Sequence, residues 1–315
     1  MPEKDYSDYI PDELRVGGEL YSQTFRLERR GTTFQGRLDF YHRRLLVDHL
    51  EPASSQVDIS PLRELAEERE LSKLLVVCPD HLTSKLLAQG FRQEANFPRY
   101  YLREDADLLS LFLDPERESS PTLRKEQAML RRFYQGRPRP AELPGGFTMR
   151  RAGPGDLEAI MEIYRAVYQD SPVPELEEGY ISRLLASNST PFAIGFEGER
   201  PVSVLAVQID FDHQTGQMTH GATLPDYRGR GLAQALIGLL EGICRELELN
   251  SVYGFIPARD PGSNKALFNR EYRFTGTLVN DYRDPEGNFI NMNLWIKLFP
   301  TSRPELEEED YGYDY

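Results

Sequence analysis

The sequence predicts an α/β protein in two units. The C-terminal one has a mixed, twisted sheet flanked by helices, and the N-terminal one is a smaller α/β domain. Three observations carry this. Short β-rich runs such as 73–78 and 202–209 alternate with amphipathic stretches such as 232–243, the pattern of helices layered on a sheet. The most linker-like composition, Gln135-Gly-Arg-Pro-Arg-Pro-Ala-Glu-Leu-Pro-Gly-Gly146, falls near mid-chain. At 315 residues the chain can bury two cores of ordinary size.

The polar, acidic start over 1–24 reads as a tail. An extended region follows from Thr32 to Leu50. Pro61 to Glu70 has helical spacing, and Lys73-Leu-Leu-Val-Val-Cys78 is a buried strand. A short helix from His81 to Gln89 stops at Gly90. Phe91 to Arg103 is strand-like, and Leu123 to Tyr134 is a basic amphipathic helix. Beyond the linker come a strand at 147–151, helices at 157–168 and 176–186, and strands at 192–197 and 202–209. Met218 to Leu224 is extended, a helix follows the turn at 228–231, and Ser251 to Ile256 is a strand. A short helix opens at Asn264, and 276–282 and 289–299 are the last strands. The domains are therefore expected at 25–138 and 139–300, with a second acidic tail over 301–315.

Net charge is −14, from 51 acids against 37 bases, which argues against nucleic-acid binding because that needs a basic footprint. No apolar run approaches the ~20 residues of a membrane span, and the acidic start lacks the apolar core of a secretory signal. Cys78 and Cys244 sit in apolar elements and read as reduced core thiols, which suits the cytoplasm. The five histidines show no metal-ligand spacing, so no metal is expected.

The most informative segment is Gly216-Gln-Met-Thr-His-Gly-Ala-Thr-Leu-Pro-Asp-Tyr-Arg-Gly-Arg-Gly-Leu-Ala233. A short strand breaks at Pro225-Asp226, and a glycine-rich turn opens directly onto a helix. Gly229 and Gly231 leave backbone N–H groups bare for a phosphate. The helix aims its positive end at the same spot, and Arg228 and Arg230 add charge. This is a pyrophosphate cradle. It lacks the Gly-Lys-Ser/Thr of a P-loop and the Gly-x-Gly-x-x-Gly of a dinucleotide fold.

Arg228, Gly231 and Ala233 fit the pattern Arg-x-x-Gly-x-Ala, and the strand–turn–helix resembles the acetyl-CoA site of the GNAT N-acetyltransferases. Within that superfamily the chain resembles the β-lysine N-acetyltransferases. Ala222-Thr223-Leu-Pro-Asp-Tyr-Arg-Gly-Arg-Gly-Leu-Ala, Gly276-Thr-Leu-Val-Asn280 and Met292-Asn293-Leu-Trp295 carry this. The resemblance implies acetyl-CoA as co-substrate, held by Ala222, Thr223, Leu224, Arg228, Gly229, Arg230, Gly231, Leu232, Ala233 and Asn264. It implies a small-molecule amine acceptor, the ε-amine of β-lysine or a similar small amine, in osmolyte synthesis. Leu87-Ala-Gln-Gly-Phe-Arg-Gln-Glu also resembles Phe268-Asn-Arg-Glu-Tyr-Arg-Phe. The first unit is then either a degenerate GNAT-like repeat or an unrelated α/β cap.

Acetylating an amine requires removal of an ammonium proton whose pKa is ~10, hence a base. His220 stands where the family carries an acidic residue, and an ordinary pKa of ~6.5 suits the task. Many relatives use a Tyr as acid. The corresponding position here is Asn269, so Tyr272 is the candidate. Gln217, Asn280, Asp281, Tyr282, Asn291 and Asn293 are candidate acceptor contacts on strands that flank the cleft. Competing functions are acetylation of a polyamine, an amino sugar or a protein lysine, or a non-catalytic acetyl-CoA sensor. A homodimer stays open.

Overall fold

The computed structural model describes residues 12–300, except 30, 53–56, 103 and 170. The first half runs β1 (Glu13–Val16), β2 (Glu19–Arg29), β3 (Thr32–Asp39), β4 (Arg44–Pro52), α1 (Ser60–Glu68), β5 (Lys73–Pro79), α2 (Asp80–Leu87), β6 (Arg92–Tyr101) and β7 (Glu104–Phe112). Helix α3 (Leu123–Tyr134) leads into the linker. The second half runs β8 (Phe147–Arg151), α4 (Leu157–Tyr168), α5 (Glu178–Ala186), β9 (Phe192–Glu197), β10 (Arg200–Asp210), β11 (Thr215–Thr223), α6 (Leu232–Glu246), β12 (Ser251–Pro257), α7 (Pro261–Asn269), β13 (Arg273–Arg283) and β14 (Phe289–Leu298). The tail expected through residue 24 is sheet from Glu13 onward. Leu14 and Val16 bury one face of β1, and β2 pairs along all of β3. The expected tail at 301–315 lies outside the described residues.

The strands of the described residues join one sheet in the order β1-β2-β3-β4-β5-β7-β6-β13-β14-β12-β11-β10-β9-β8. Read inward from each end, the halves are the same: 1-2-3-4-5-7-6 and 8-9-10-11-12-14-13. The only parallel pairings described are β4–β5 and β11–β12, which occupy corresponding places. Local geometry repeats too. Gly90 (φ 93°) and Glu271 (φ 65°) follow α2 and α7, and the next N–H groups, of Phe91 and Tyr272, return to Leu86 O and Leu267 O at 3.2 and 3.1 Å. The repeat reading of the first half therefore has a topological basis that an unrelated cap lacks.

The halves meet where β6 pairs with β13, through Gly276 opposite Ala95. A Cβ on Gly276 would lie 2.1 Å from Glu94 O, so only glycine permits this approach. Apolar side chains of both halves share a core across the seam, with Val77, Phe97 and Leu108 beside Leu278, Met292 and Leu294. Below it Asp281 is fully buried between Arg44 and Lys73, and Lys73 also holds Glu94 at 2.7 Å. Arg117 donates to the carbonyls of Asn280 and Asp281 at 2.7 and 3.0 Å.

Candidate active site

Strand β11 pairs with β12 only from Thr215 to Gln217 and then diverges. On its other side it follows β10 to Thr223, with one irregularity: Ala206 faces Thr219 and Val204 faces Ala222. His220 and Gly221 thus oppose a single residue, a β-bulge. His220 takes φ 53° there, a left-handed conformation that histidine tolerates better than most residues. Tyr164 and Tyr168 of α4 pin the bulge by donating to His220 O and Gly221 O at 2.8 and 3.1 Å.

The bulge presents the His220 ring to a cleft of about 2280 Å³ walled by both halves. Its Nδ1 lies 2.9 Å from Glu175 Oε1. With Nδ1–H donating to that carboxylate, neutral His220 keeps the lone pair on Nε2. Phe192 stacks on the ring at 6.1 Å and Tyr180 meets it edge-on at 5.7 Å. Burial pushes the Glu175 carboxyl up, but the hydrogen bond and charge of His220 outweigh it and hold the carboxyl below its ordinary value. A carboxylate that orients an imidazole and stabilises its protonated form is the support a histidine base requires. Sequence reasoning does not single out Glu175. Its Ser-Pro-Val-Pro-Glu setting signals only a turn.

The turn after β11 has the form a phosphate needs. Gly229 and Gly231 have φ 75° and 80°, and Gly231 caps α6. A Cβ on Gly229 would meet nothing within 4 Å, so ligand atoms have room there. The first N–H groups of α6 have no partners within the helix. Arg228, Gly229, Gly231, Leu232 and Ala233 line the cleft, and so do Ala222 and Thr223. These residues fit the pyrophosphate and arm of acetyl-CoA. Other expected contacts do not. Arg230 turns back to Asp226 O at 3.0 Å and over the Tyr227 ring. Leu224 spends its N–H on Val202 O at 3.0 Å. Asn264 is fully buried, donating to Pro257 O and Asp260 O and accepting from Asn293 and Trp295. Asp260, not Asn264, caps α7.

Tyr272 is also displaced from the chemistry. It is 3% exposed in the core under α6, beside Leu236, Leu240 and Cys244. Burial raises its hydroxyl well above the ordinary value, and because the residue does not line the cleft it cannot deliver a proton there. Its counterpart in the first half, Phe91, is a core residue as well.

Of the expected acceptor contacts, Gln217 and Tyr282 line the cleft. Tyr253 Oη donates to Gln217 Oε1 at 3.3 Å, and Tyr282 stacks on His42 at 4.3 Å. The other four belong to the interior. Asn280 donates to Arg117 O and Ser119 O, and Asn291 bonds Asn280 N and Glu126. Asp281 neutralises Arg44 and Lys73, and Asn293 ties Thr277 to Asn264. An Asn flanked by apolar residues on a strand is as good a signal for a buried polar network as for a ligand contact. The first half adds cleft residues that the sequence does not flag. His42 Nδ1 accepts from Arg283 N at 2.8 Å, and its Nε2 lies 3.1 Å from Tyr21 Oη. Burial holds His42 down at about 4, hence neutral.

Residues 157–266, which include the bulge and the cradle, match the family model described as Acetyltransferase (GNAT) family. This segment is a GNAT acetyltransferase domain, and the chain is an N-acetyltransferase. This GNAT enzyme is 28% identical over 233 residues to N-acetyltransferase YodP of Bacillus subtilis (strain 168), covering 74% of this chain and 84% of that protein. It is 27% identical over 259 residues to a beta-lysine N(6)-acetyltransferase of Methanosarcina mazei, covering 75% and 95%. A second protein of that name, from Methanococcus maripaludis, is 24% identical over 241 residues, covering 76% and 87%. The superfamily uses acetyl-CoA as its co-substrate. No helix among the described residues is long and apolar enough to cross a membrane.

Proposed function

We propose that this GNAT enzyme acetylates the ε-amine of β-lysine or a similar small free amine, as in osmolyte synthesis, with His220 as general base. The observation that carries the base assignment is the His220–Glu175 pair on the bulge of β11, beside the cradle. The two relatives called beta-lysine N(6)-acetyltransferase support the acceptor class. Residues of the first half line the cleft together with those of the second, and a cleft walled by both halves supports a small molecule over a protein lysine.

Acetyl-CoA, when bound, supplies the acetyl group and leaves as the thiol. His220 Nε2 takes a proton from the acceptor ammonium, and the freed nitrogen lone pair forms the new C–N bond as the C–S bond breaks. Glu175 holds the imidazole in the tautomer with Nε2 free and balances its charge once protonated. The proton His220 has taken is then available to return to the thiolate, and the second proton that the nitrogen sheds on becoming an amide passes to solvent.

Release of CoA measured with β-lysine, a polyamine, an amino sugar and a lysyl peptide tests the proposal. Turnover highest on β-lysine, and lost in His220→Ala while acetyl-CoA still binds, is the expected result. Peptide acetylation at the higher rate would move the function to protein lysines. Acetyl-CoA binding without turnover on any amine would make the protein a sensor.

A further inference from the structure

The first half turns a polar sheet face toward the cleft. On β3 the alternate residues Gln35, Arg37 and Asp39 line it, and on β4 Arg44, Leu46 and Asp48 do. The intervening Phe34, Leu38, Leu45 and Val47 sink into the core beneath α1 and α2. Such period-two alternation marks a sheet with one wet face. Here the wet face looks across the cleft at the other half. The unit without a cradle thus forms the wall opposite His220.

Five arginines line the cleft, and four of them are engaged. Arg44 pairs with Asp39 and Asp281, and Arg259 with Asp284 at 2.9 Å. Arg283 Nε donates to Gly287 O, and Arg228 Nε to Thr223 O beside the cradle, each at 3.1 Å. Arg37 touches the Ser22 hydroxyl at 3.4 Å, and no carboxylate lies within ion-pair distance of it among the described residues. Burial lowers its guanidinium below the ordinary value, and the nearby Tyr180, Asp39 and Asp48 offset only part of that. Tyr180 is also the residue that meets the His220 ring edge-on. A cation that lines the same cleft as the base, with no carboxylate at ion-pair distance among the described residues, can serve as an anion site. The planar fork of arginine matches a carboxylate in two parallel hydrogen bonds.

We propose that Arg37 binds the carboxylate of the acceptor, which makes the enzyme selective for amino acids over amines that lack a carboxylate. This rests on the assignment of a small free amine as acceptor. Arg37 is a specificity residue: it holds the far end of the acceptor while His220 works on the amine.

The test compares kcat/KM for β-lysine and for 1,5-diaminopentane, which lacks the carboxylate, in wild type, Arg37→Gln and Arg37→Lys. A lost charge-assisted pair lowers the β-lysine value roughly 10- to 100-fold in Arg37→Gln. Arg37→Lys restores part of it, because lysine keeps the charge and loses the fork. The diamine value changes less than about threefold, since no pair to the diamine is lost. Acetyl-CoA affinity and melting temperature stay at wild-type values. Equal losses on both acceptors, no loss on β-lysine, or a wild-type preference for the diamine would overturn the proposal. Wild-type failure on every small free amine would instead overturn the acceptor assignment, and the proposal with it. Wild-type turnover of β-lysine tells the two failures apart.

Discussion

In the proposed mechanism the proton transfer falls to one residue in an unusual backbone state. His220 reaches the cleft because the bulge places two residues opposite one and tips the imidazole toward Glu175. Removing a general base typically costs ~10²–10⁴ in rate. His220→Ala is therefore expected to lose turnover on that scale while acetyl-CoA still raises its melting temperature, the signature of a ligand bound to the folded state. Glu175→Gln keeps the shape and removes the charge. Protonated His220 then loses its counter-charge, and turnover is expected to fall about tenfold or more while acetyl-CoA still binds. Unchanged turnover would show that Glu175 only packs. His220 was legible in the sequence because a titratable side chain stands in the strand before the cradle. Glu175 was not, because 45 residues separate it from His220 in the chain. The four polar residues assigned to the acceptor from the last two strands failed for the opposite reason. Strand alternation says which residues share a face, but not whether that face meets solvent, ligand or another domain.

Elements with a strong period were read well. The helices at 123–134 and 157–168 and the strand at 192–197 have the bounds that their apolar spacing predicts. β7 was not legible, because Glu104-Asp-Ala-Asp opens it with charges that the sheet buries or pairs: Asp107 accepts from Thr83 and Gln93. β1 was hidden by its four-residue length and acidic flanks. The cradle is an element-scale device, and Gly229 tests it more cleanly than Gly231. A side chain at 231 would lie 2.7 Å from Ala141 Cβ of the linker, so its effects mix two causes. At 229 there is open space and φ 75°, which asparagine tolerates. Gly229→Asn is expected to fold with a near-normal melting temperature, yet bind acetyl-CoA at least tenfold more weakly in titration calorimetry, because its side chain enters the phosphate space. Gly276→Val should do the reverse. Its Cβ has no room against Glu94 O, so the seam opens, and the melting temperature falls before any measure of the cradle changes.

At the scale of the molecule, the two halves act as one body because the sheet is continuous and its seam is charged inside. Neither property is visible in the sequence, where Lys73 and Asp281 stand 208 residues apart and look like ordinary strand polars. The 139–300 segment is accordingly expected to fold poorly alone, since its β13 edge and Asp281 would face water without their partners. Asp281 gives the sharpest measurement. Burial pushes its carboxyl up, but Arg44, Lys73 and Arg117 together outweigh this and hold it at about 2, below the ordinary 3.8. A carboxyl depressed in the folded state stabilises fully above its unfolded value, and that stability is lost as pH falls through the folded one. The wild type should therefore weaken between about pH 4 and pH 2 by an amount on the order of 2 kcal/mol from this group. Asp281→Asn leaves two buried cations short of a partner, which costs roughly 3–5 kcal/mol at neutral pH. Urea midpoints of the two proteins across pH should converge as acid protonates Asp281 in the wild type. A gap that stays constant down to pH 2 would mean that Asp281 contributes shape rather than charge, and that the seam is held by its apolar core alone.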